Sequence, residues 1–119
     1  MVDIGLRHLA YLGDSVWELF VRERTILNTP NAGILHKITT EKVKASFQAY
    51  LLGEINELLT EEEKEVARRG RNLPIPIARR ANQAEYRLAT AFETLIGWWY
   101  YYDKKRLETI LQILENHVK

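Results

Sequence analysis

Two long apolar stretches, each with an acidic residue inside it, constrain this fold more than any other feature of the sequence. Asp14 lies in the stretch 9–21, and Glu93 lies in the stretch 89–100. In both stretches apolar residues occur nearly all the way round a helix, which is typical of helices buried in a core. Because burial of an isolated charge is very costly, each acid must be paired with a cation, bound to a metal ion or kept neutral. The stretches therefore predict a helical core, and their acids predict a candidate metal site.

The length and composition indicate one small globular domain. The chain has 119 residues, 46% of them hydrophobic, and we expect a single domain over residues 1–119. It has no cysteine, so disulfides and cysteinyl zinc sites are excluded, and a reducing cytoplasm fits this composition. Charged residues near the N-terminus interrupt the apolar core of a signal peptide. No uncharged apolar run approaches the roughly 20 residues of a membrane span. We therefore expect a cytoplasmic protein.

The spacing of apolar residues predicts an all-α fold with about five main helices. The first helix is expected over 3–27, where the asparagine and proline that follow favour a turn. The second is expected over 32–59, with weak points at Thr39, Thr40 and Gly53.

The second half of the chain carries clearer helix boundaries. Thr60 and Glu63 form a capping box that begins a third helix, which would end near Gly70 in a left-handed conformation. The proline-containing segment 73–77 cannot lie inside a helix, and a fourth helix is expected over 80–102. A last amphipathic helix would be capped by Asp103 and would present an inner face of Leu107, Ile110, Leu111 and Leu114.

The residues around the two acids favour a shared site. Gly13 beside Asp14 allows another backbone or a ligand to approach closely. Gly97, one turn after Glu93, likewise leaves its helix without a side chain at that point. If the two helices pack together, the acids meet in one cleft, which would suit Mg²⁺ because this ion accepts one or two carboxylates and keeps several waters. Glu18 shares the helix face of Asp14, but a surface salt bridge is the favoured interpretation for it.

Charge is unevenly distributed although the net charge is only +1. Residues 68–87 contain six arginines and one acid, whereas residues 54–65 contain six glutamates and one lysine. Most charge clusters are solvated faces. Residues 68–72, RRGRN, however, straddle a predicted helix end and enter a proline-stiffened loop. Guanidinium groups presented in this way are suited to bidentate contacts with phosphate.

Two other groups of residues are weaker candidates. His36 and Lys37 could contact phosphate, although a surface or capping histidine is the more common alternative. The aromatic run 98–102, WWYYY, could stack on bases. Its helical spacing favours the core and a dimer interface instead.

Two motifs resemble the ribonuclease III family. Residues 9–16, LAYLGDSV, are similar to its signature helix, and residues 93–97, ETLIG, are similar to its second motif, Glu-Ala-Leu-Ile-Gly. The resemblance extends over nearly the whole chain, from about Leu9 to Leu114, and is closer to Mini-ribonuclease III, the short form without a double-stranded-RNA-binding domain. The segments that look like the short form are 35–37, 68–72, 86–87 and 90–93.

This resemblance implies a helical homodimer that cuts double-stranded RNA with Mg²⁺, or with Mn²⁺ in its place. For the short form the implied substrate is the precursor of large-subunit (23S) ribosomal RNA, in the bacterial cytoplasm or the chloroplast stroma. Carried over to this sequence, Asp14 and Glu93 are the catalytic, metal-binding acids. The candidate RNA-contacting residues are His36, Lys37, Arg68, Arg69, Arg71, Asn72, Arg79 and Arg80.

Full-length ribonuclease III has an acid at two positions that are Ala10 and Thr90 in this sequence. The short form is similar in lacking these two acids. Residues 74–80, PIPIARR, also replace a small, polar, lysine-containing stretch. The leading hypothesis is a Mg²⁺-dependent endoribonuclease. One alternative is a non-catalytic RNA-binding or ribosome-associated protein on the same fold, and another is a helical protein-interaction module that uses the aromatic run.

Overall fold

The computed structural model describes residues 3–76 and 82–119, and every regular element in these ranges is helical. The all-α prediction is therefore confirmed. Two single turns of 3₁₀-helix, Asn56–Leu58 and Glu115–His117, follow the third and sixth helices. No helix in the described ranges is long and apolar enough to cross a membrane. The α-helices are α1 Leu6–Thr25, α2 Ala32–Val43, α3 Ala45–Ile55, α4 Glu61–Arg71, α5 Gln83–Tyr102 and α6 Lys104–Leu114.

The predicted second helix is in fact two helices, so the described part of the chain has six main helices rather than about five. The break falls at Lys44, where φ is −68° and ψ is 157°, and not at the weak points read from the sequence. A contact with α1 favours this position. The indole Nε1 of buried Trp17 donates to the carbonyl oxygen of Lys42 at 2.9 Å, and a buried indole N–H needs such a partner.

The other boundaries were predicted to within a few residues. α1 is shorter than expected at both ends, and the expected start of α5 at residue 80 lies outside the described residues. The cap of α6 is confirmed, because the Asp103 carboxylate accepts from the backbone N–H of Arg106 at 3.2 Å. On the inner face of α6, Leu107, Ile110 and Leu114 are buried and Leu111 is half-buried.

The capping box of α4 is confirmed, and its glutamate also ties three helices together. Thr60 Oγ1 accepts from the Glu63 backbone N–H at 3.1 Å, and Glu63 Oε1 accepts from the Thr60 backbone N–H at 2.8 Å. Glu63 is buried and also accepts from Trp99 Nε1 at 2.8 Å and from Arg106 Nε at 2.9 Å. Burial alone would raise the pKa of Glu63, but the hydrogen bonds from Arg106, Thr60 and Trp99 outweigh it and lower the pKa.

Gly70 does not end its helix in a left-handed conformation, so that prediction was wrong. It lies inside α4, is buried, and no glycine among the described residues has a positive φ. A β-carbon at Gly70 would lie 2.7 Å from Thr94 Oγ1 on α5. The lack of a side chain at Gly70 therefore allows α4 to pack closely on α5 at Thr94, the residue that follows Glu93.

The hydrophobic core surrounds α5, which packs against α1, α3, α4 and α6. Trp17 of α1 and Phe92 of α5 meet edge to face with their ring centroids 5.1 Å apart. The middle of α5, residues 89–99, is buried or half-buried on all sides, as its apolar sequence predicts. The buried residues of α5 are Ala89, Ala91, Phe92, Thr94, Leu95, Ile96, Gly97 and Trp99.

Candidate active site

Two glycines bring α1 and α5 into direct backbone contact. A β-carbon at Gly13 would overlap the backbone carbonyl of Glu93, and a β-carbon at Gly97 would overlap the backbone carbonyl of Leu9. Each glycine therefore faces the backbone of the other helix, where no larger residue fits. Because Asp14 follows Gly13 in the chain and Glu93 is the residue that Gly13 touches, this crossing brings the two acids together.

The two acids line one cleft, as their sequences predicted. The cleft has a volume of about 190 Å³ and opens to solvent. Ala10 and Thr90, the two positions without the acids of the full-length pattern, lie in the same cleft. The Thr90 hydroxyl donates to the carbonyl oxygen of Tyr86 at 3.0 Å. The lining residues are Arg7, Ala10, Tyr11, Asp14, Leu73, Tyr86, Thr90 and Glu93.

The prediction that both acids are buried was correct only in part. Glu93 is half-buried, but Asp14 is exposed at the mouth of the cleft. The reason is that α1 turns only one side towards the core. On its other side Tyr11 and Leu19 are 81% and 59% exposed, so an apolar sequence does not enclose Asp14 in the single chain.

Burial and the nearby Asp14 together shift the pKa of Glu93. Burial raises the pKa of Glu93 to about 8, with further contributions from a hydrogen bond to Asp14 and from the negative charge of Asp14. Gln48 acts in the opposite direction and lowers this pKa. Near neutral pH the pair therefore retains a proton, which a cation could replace.

The chemistry of this pair fits a hard divalent cation. Both acids offer carboxylate oxygens, one from an open cleft mouth and one from a partly buried position, which leaves room for water. No group of three or more potential metal-binding side chains occurs within residues 3–76 and 82–119. An ion that took both carboxylates would complete its coordination with water or substrate oxygens, an arrangement that Mg²⁺ accepts.

Glu18 is a surface residue that forms an ion pair, as the favoured interpretation predicted. Its carboxylate accepts from Arg22 one turn later, with a nitrogen–oxygen distance of 2.9 Å. It lines a shallow surface groove with Asp14 rather than the cleft that contains Glu93.

The basic segment 68–72 lies at the end of α4, and the chain that follows it reaches the cleft. Arg87 of α5 donates to the carbonyl oxygen of Arg71 at 3.0 Å and fixes the end of α4. Beyond this point Leu73 lines the cleft, and Arg7 donates to the carbonyl oxygen of Pro74 at 3.0 Å. Arg68, Arg69, Arg71 and Asn72 are all exposed on this path.

The remaining candidate RNA-contacting residues differ in position and pairing. Arg68 forms a two-point contact with Glu65, at 2.7 Å and 2.6 Å. His36 and Lys37 are exposed on α2 and are not among the residues that line the cleft. Arg79 and Arg80 lie outside the described residues.

The aromatic run divides between core and surface. Trp99 is fully buried and bonded to Glu63, and Trp98 is half-buried against the core. Tyr100 and Tyr101 are 38% and 46% exposed, and Tyr102 accepts from the backbone N–H of Ile4 at 3.1 Å. The run therefore contributes Trp98 and Trp99 to the core, as its spacing favoured, and leaves Tyr100 and Tyr101 at the surface.

Sequence reasoning overlooked two residues at the site. Arg7 is the basic side chain among the lining residues of the cleft, and it stands two helical turns before Asp14. Gln48 lies on α3 and acts on Glu93, although nothing in its local sequence connects it to the acids. The available signal for Gln48 was a polar residue on the apolar face formed by Leu51, Leu52 and Ile55.

Comparisons with known proteins found relatives that match most of the chain. The Ribonuclease III domain family matches residues 7–104. A Mini-ribonuclease 3 of Gloeobacter violaceus is 46% identical over 114 residues, which cover 96% of this chain and 84% of that protein. A Mini-ribonuclease 3 of Clostridium tetani is 42% identical over 112 residues, which cover 91% of this chain and 74% of that protein. A crystal structure of a protein from Fusobacterium nucleatum is 31% identical with a TM-score of 0.82, and the match covers 97% of this chain and 95% of that one.

Proposed function

Since the chain belongs to the ribonuclease III family and is an endoribonuclease, we propose that Asp14 and Glu93 form its Mg²⁺-dependent active site. The observation that carries this proposal is the meeting of the two carboxylates in one cleft through the Gly13–Gly97 crossing. Mn²⁺ would substitute for Mg²⁺, because both ions prefer oxygen ligands. The whole chain, residues 1–119, acts as one catalytic domain.

In this proposal each acid has a distinct part. Asp14 is exposed and meets the ion first, while Glu93 loses the proton that its surroundings retain near neutral pH. When bound, the ion supplies stabilisation of charge on a phosphodiester and activation of water. Arg7, whose side chain lines the cleft, holds a phosphate of the substrate beside the two acids.

The proposed substrate is double-stranded or structured RNA, with a precursor of 23S ribosomal RNA as the specific case. The exposed basic segment that ends at the cleft supports this, because A-form RNA is bound mostly through its shape and backbone. Contacts to phosphate would weaken steeply with salt. The proposed contacts are His36, Lys37, Arg68, Arg69, Arg71, Asn72, Arg79 and Arg80.

A homodimer is the proposed working form. Cutting both strands of a duplex requires two sites, and a two-fold dimer presents one site to each strand. The exposed apolar side chains of α1 and the turn after it, Tyr11, Leu19, Ile26 and Leu27, support an interface there. Such a ribonuclease would act on ribosomal RNA precursor in the cytoplasm.

The replacement of both acids of the full-length pattern favours a second candidate function. Ala10 and Thr90 line the cleft without adding a carboxylate, and a protein that only binds RNA or the ribosome would need none. The retention of both Asp14 and Glu93 in one cleft supports catalysis over this alternative.

The two functions are separated by cutting assays on the variant Asp14→Asn. Purified protein is incubated with long double-stranded RNA and with a ribosomal RNA precursor, in Mg²⁺ and in EDTA. We expect Mg²⁺-dependent cutting that falls in the variant by more than the roughly 10–100-fold typical of residues that only support a metal ligand. RNA binding should persist.

The matched control is Glu18→Gln, which removes a carboxylate one turn away on the same helix and should leave cutting unchanged. Salt-sensitive binding of both RNAs by the wild-type protein, without any cutting in Mg²⁺ or Mn²⁺, would establish the non-catalytic alternative instead.

A further inference from the structure

One fully buried polar side chain is not explained by the fold. Gln48 of α3 is 1% exposed. Its Nε2 atom has no hydrogen-bond partner within residues 3–76 and 82–119. An unpartnered amide N–H in a core costs free energy, so a native structure that keeps one usually has a reason for it.

The location of this amide supplies the reason. α3 packs against α5, and the side chain of Gln48 adjoins the carboxyl group of Glu93 closely enough to act on it. A carboxyl group beside it offers the acceptor that this amide N–H lacks.

We propose that Gln48 is a positioning residue for the metal site, whose amide donates to the ionised carboxylate of Glu93 and fixes its orientation. This inference rests on the proposed function of Asp14 and Glu93. Hydrogen bonds to metal-binding side chains from the surrounding protein orient them and strengthen their hold on the ion. Gln48 suits this part because α3 is packed against the core through Leu51, Leu52 and Ile55, which leaves its side chain little freedom.

A positioning role and a merely structural role for Gln48 predict different effects of its replacement on stability. A structural glutamine contributes to stability, so its replacement by an apolar residue of similar length destabilises the fold. An amide that lacks a partner contributes nothing of this kind, and an apolar replacement is neutral or stabilising. Gln48→Met should therefore keep the fold while weakening metal binding.

The experiment measures Mn²⁺ binding without RNA, by electron paramagnetic resonance, for wild type, Gln48→Met and Gln48→Leu. Thermal unfolding in EDTA and the Mg²⁺ dependence of RNA cutting are measured on the same proteins. We expect unfolding temperatures equal to or above that of wild type, and Mn²⁺ affinity lowered roughly 10–100-fold. Excess metal should restore much of the cutting. Gln48→Asn, which keeps a shorter amide, should recover part of the affinity.

Gln112→Met is the matched control, because it makes the same replacement at an exposed position of α6 and should change none of the three measurements. Wild-type Mn²⁺ affinity in both apolar variants, or loss of folding in both, would overturn the positioning part of Gln48 and leave the proposed nuclease intact. A wild-type protein that neither binds Mn²⁺ nor cuts RNA would overturn both.

Discussion

Glu63 and Glu93 are two acids in one helical core, and their neighbours shift their pKa values in opposite directions. Burial raises both, but Glu63 receives hydrogen bonds from Arg106, Thr60 and Trp99 that lower its pKa overall. Glu93 faces the carboxylate of Asp14 instead, which raises its pKa further. The charge of Glu63 is thus stabilised by hydrogen bonds within the fold, whereas Glu93 needs a bound proton or a bound cation.

The raised pKa of Glu93 predicts an unusual pH dependence of stability without metal. The folded protein retains the Glu93 proton up to about pH 8, whereas the unfolded chain releases it near the ordinary value of 4.5. Between these values the unfolded state binds fewer protons, so the free energy of unfolding falls as pH rises. In EDTA, Glu93→Gln should remove this decline and be more stable than wild type at pH 7.

Denaturant unfolding in EDTA at a series of pH values tests this expectation. Glu65→Gln is the control, because Glu65 is exposed and forms only a surface ion pair with Arg68. Parallel stability curves for wild type and Glu93→Gln between pH 5 and 8 would show that the Glu93 proton is not retained on folding.

At the scale of the helices, the features that could be predicted are those set by residues close together in the sequence. The caps at Thr60 and Asp103 were predicted because a cap is set by residues a few positions apart. The break at Lys44 was not, because it is favoured by the indole of Trp17 on another helix. The acids and glycines of the site were predicted from their motifs, but the exposure of Asp14 and the proximity of Gln48 depend on how whole helices pack.

Two glycine-to-alanine changes should have opposite effects on stability, because one glycine lies at the crossing of α1 and α5 and the other faces open space. Gly97→Ala places a methyl group on the backbone of Leu9, so the helices must move apart. We expect a loss of about 1–3 kcal/mol, typical of an overfilled core, together with reduced cutting because the two acids separate. Gly53→Ala, on α3, meets nothing within 4 Å and should gain roughly 0.5–1 kcal/mol from the lower flexibility of alanine.

Thermal or denaturant unfolding of both variants measures these changes, and the cutting assay measures the site. A Gly97→Ala protein as stable and active as wild type would mean that α1 and α5 do not touch at this point.

At the scale of the whole molecule, α1 and the turn after it carry exposed apolar side chains that the single chain leaves uncovered. Tyr11 and Leu19 are largely exposed, and Leu27 just after the helix is 95% exposed. Single exposed apolar residues are common, but several along one helix indicate a contact surface. This side of α1 also bears Asp14 at the cleft mouth. A partner bound there would therefore complete the surroundings of the site.

The dimer predicted from this surface is tested with Leu19→Glu. A charge placed in the interface of two identical chains would face its copy or lie buried without a partner, so we expect dissociation into monomers and loss of cutting. Ile113→Glu is the control, since Ile113 is a similarly exposed apolar residue on α6 and should leave the dimer intact. Sedimentation velocity distinguishes the two states. If the Leu19→Glu protein sediments as the wild-type dimer, the interface lies elsewhere.

The backbone contact between α1 and α5 also determines how this nuclease could be evolved in the laboratory. Random codons at Gly13 or Gly97 would fill a library with inactive clones, since every other amino acid adds an atom where the opposite backbone already lies. Ala10 and Thr90 line the same cleft without touching that contact. A library that fixes both glycine codons and randomises these two would explore new metal and substrate preferences on an unchanged frame.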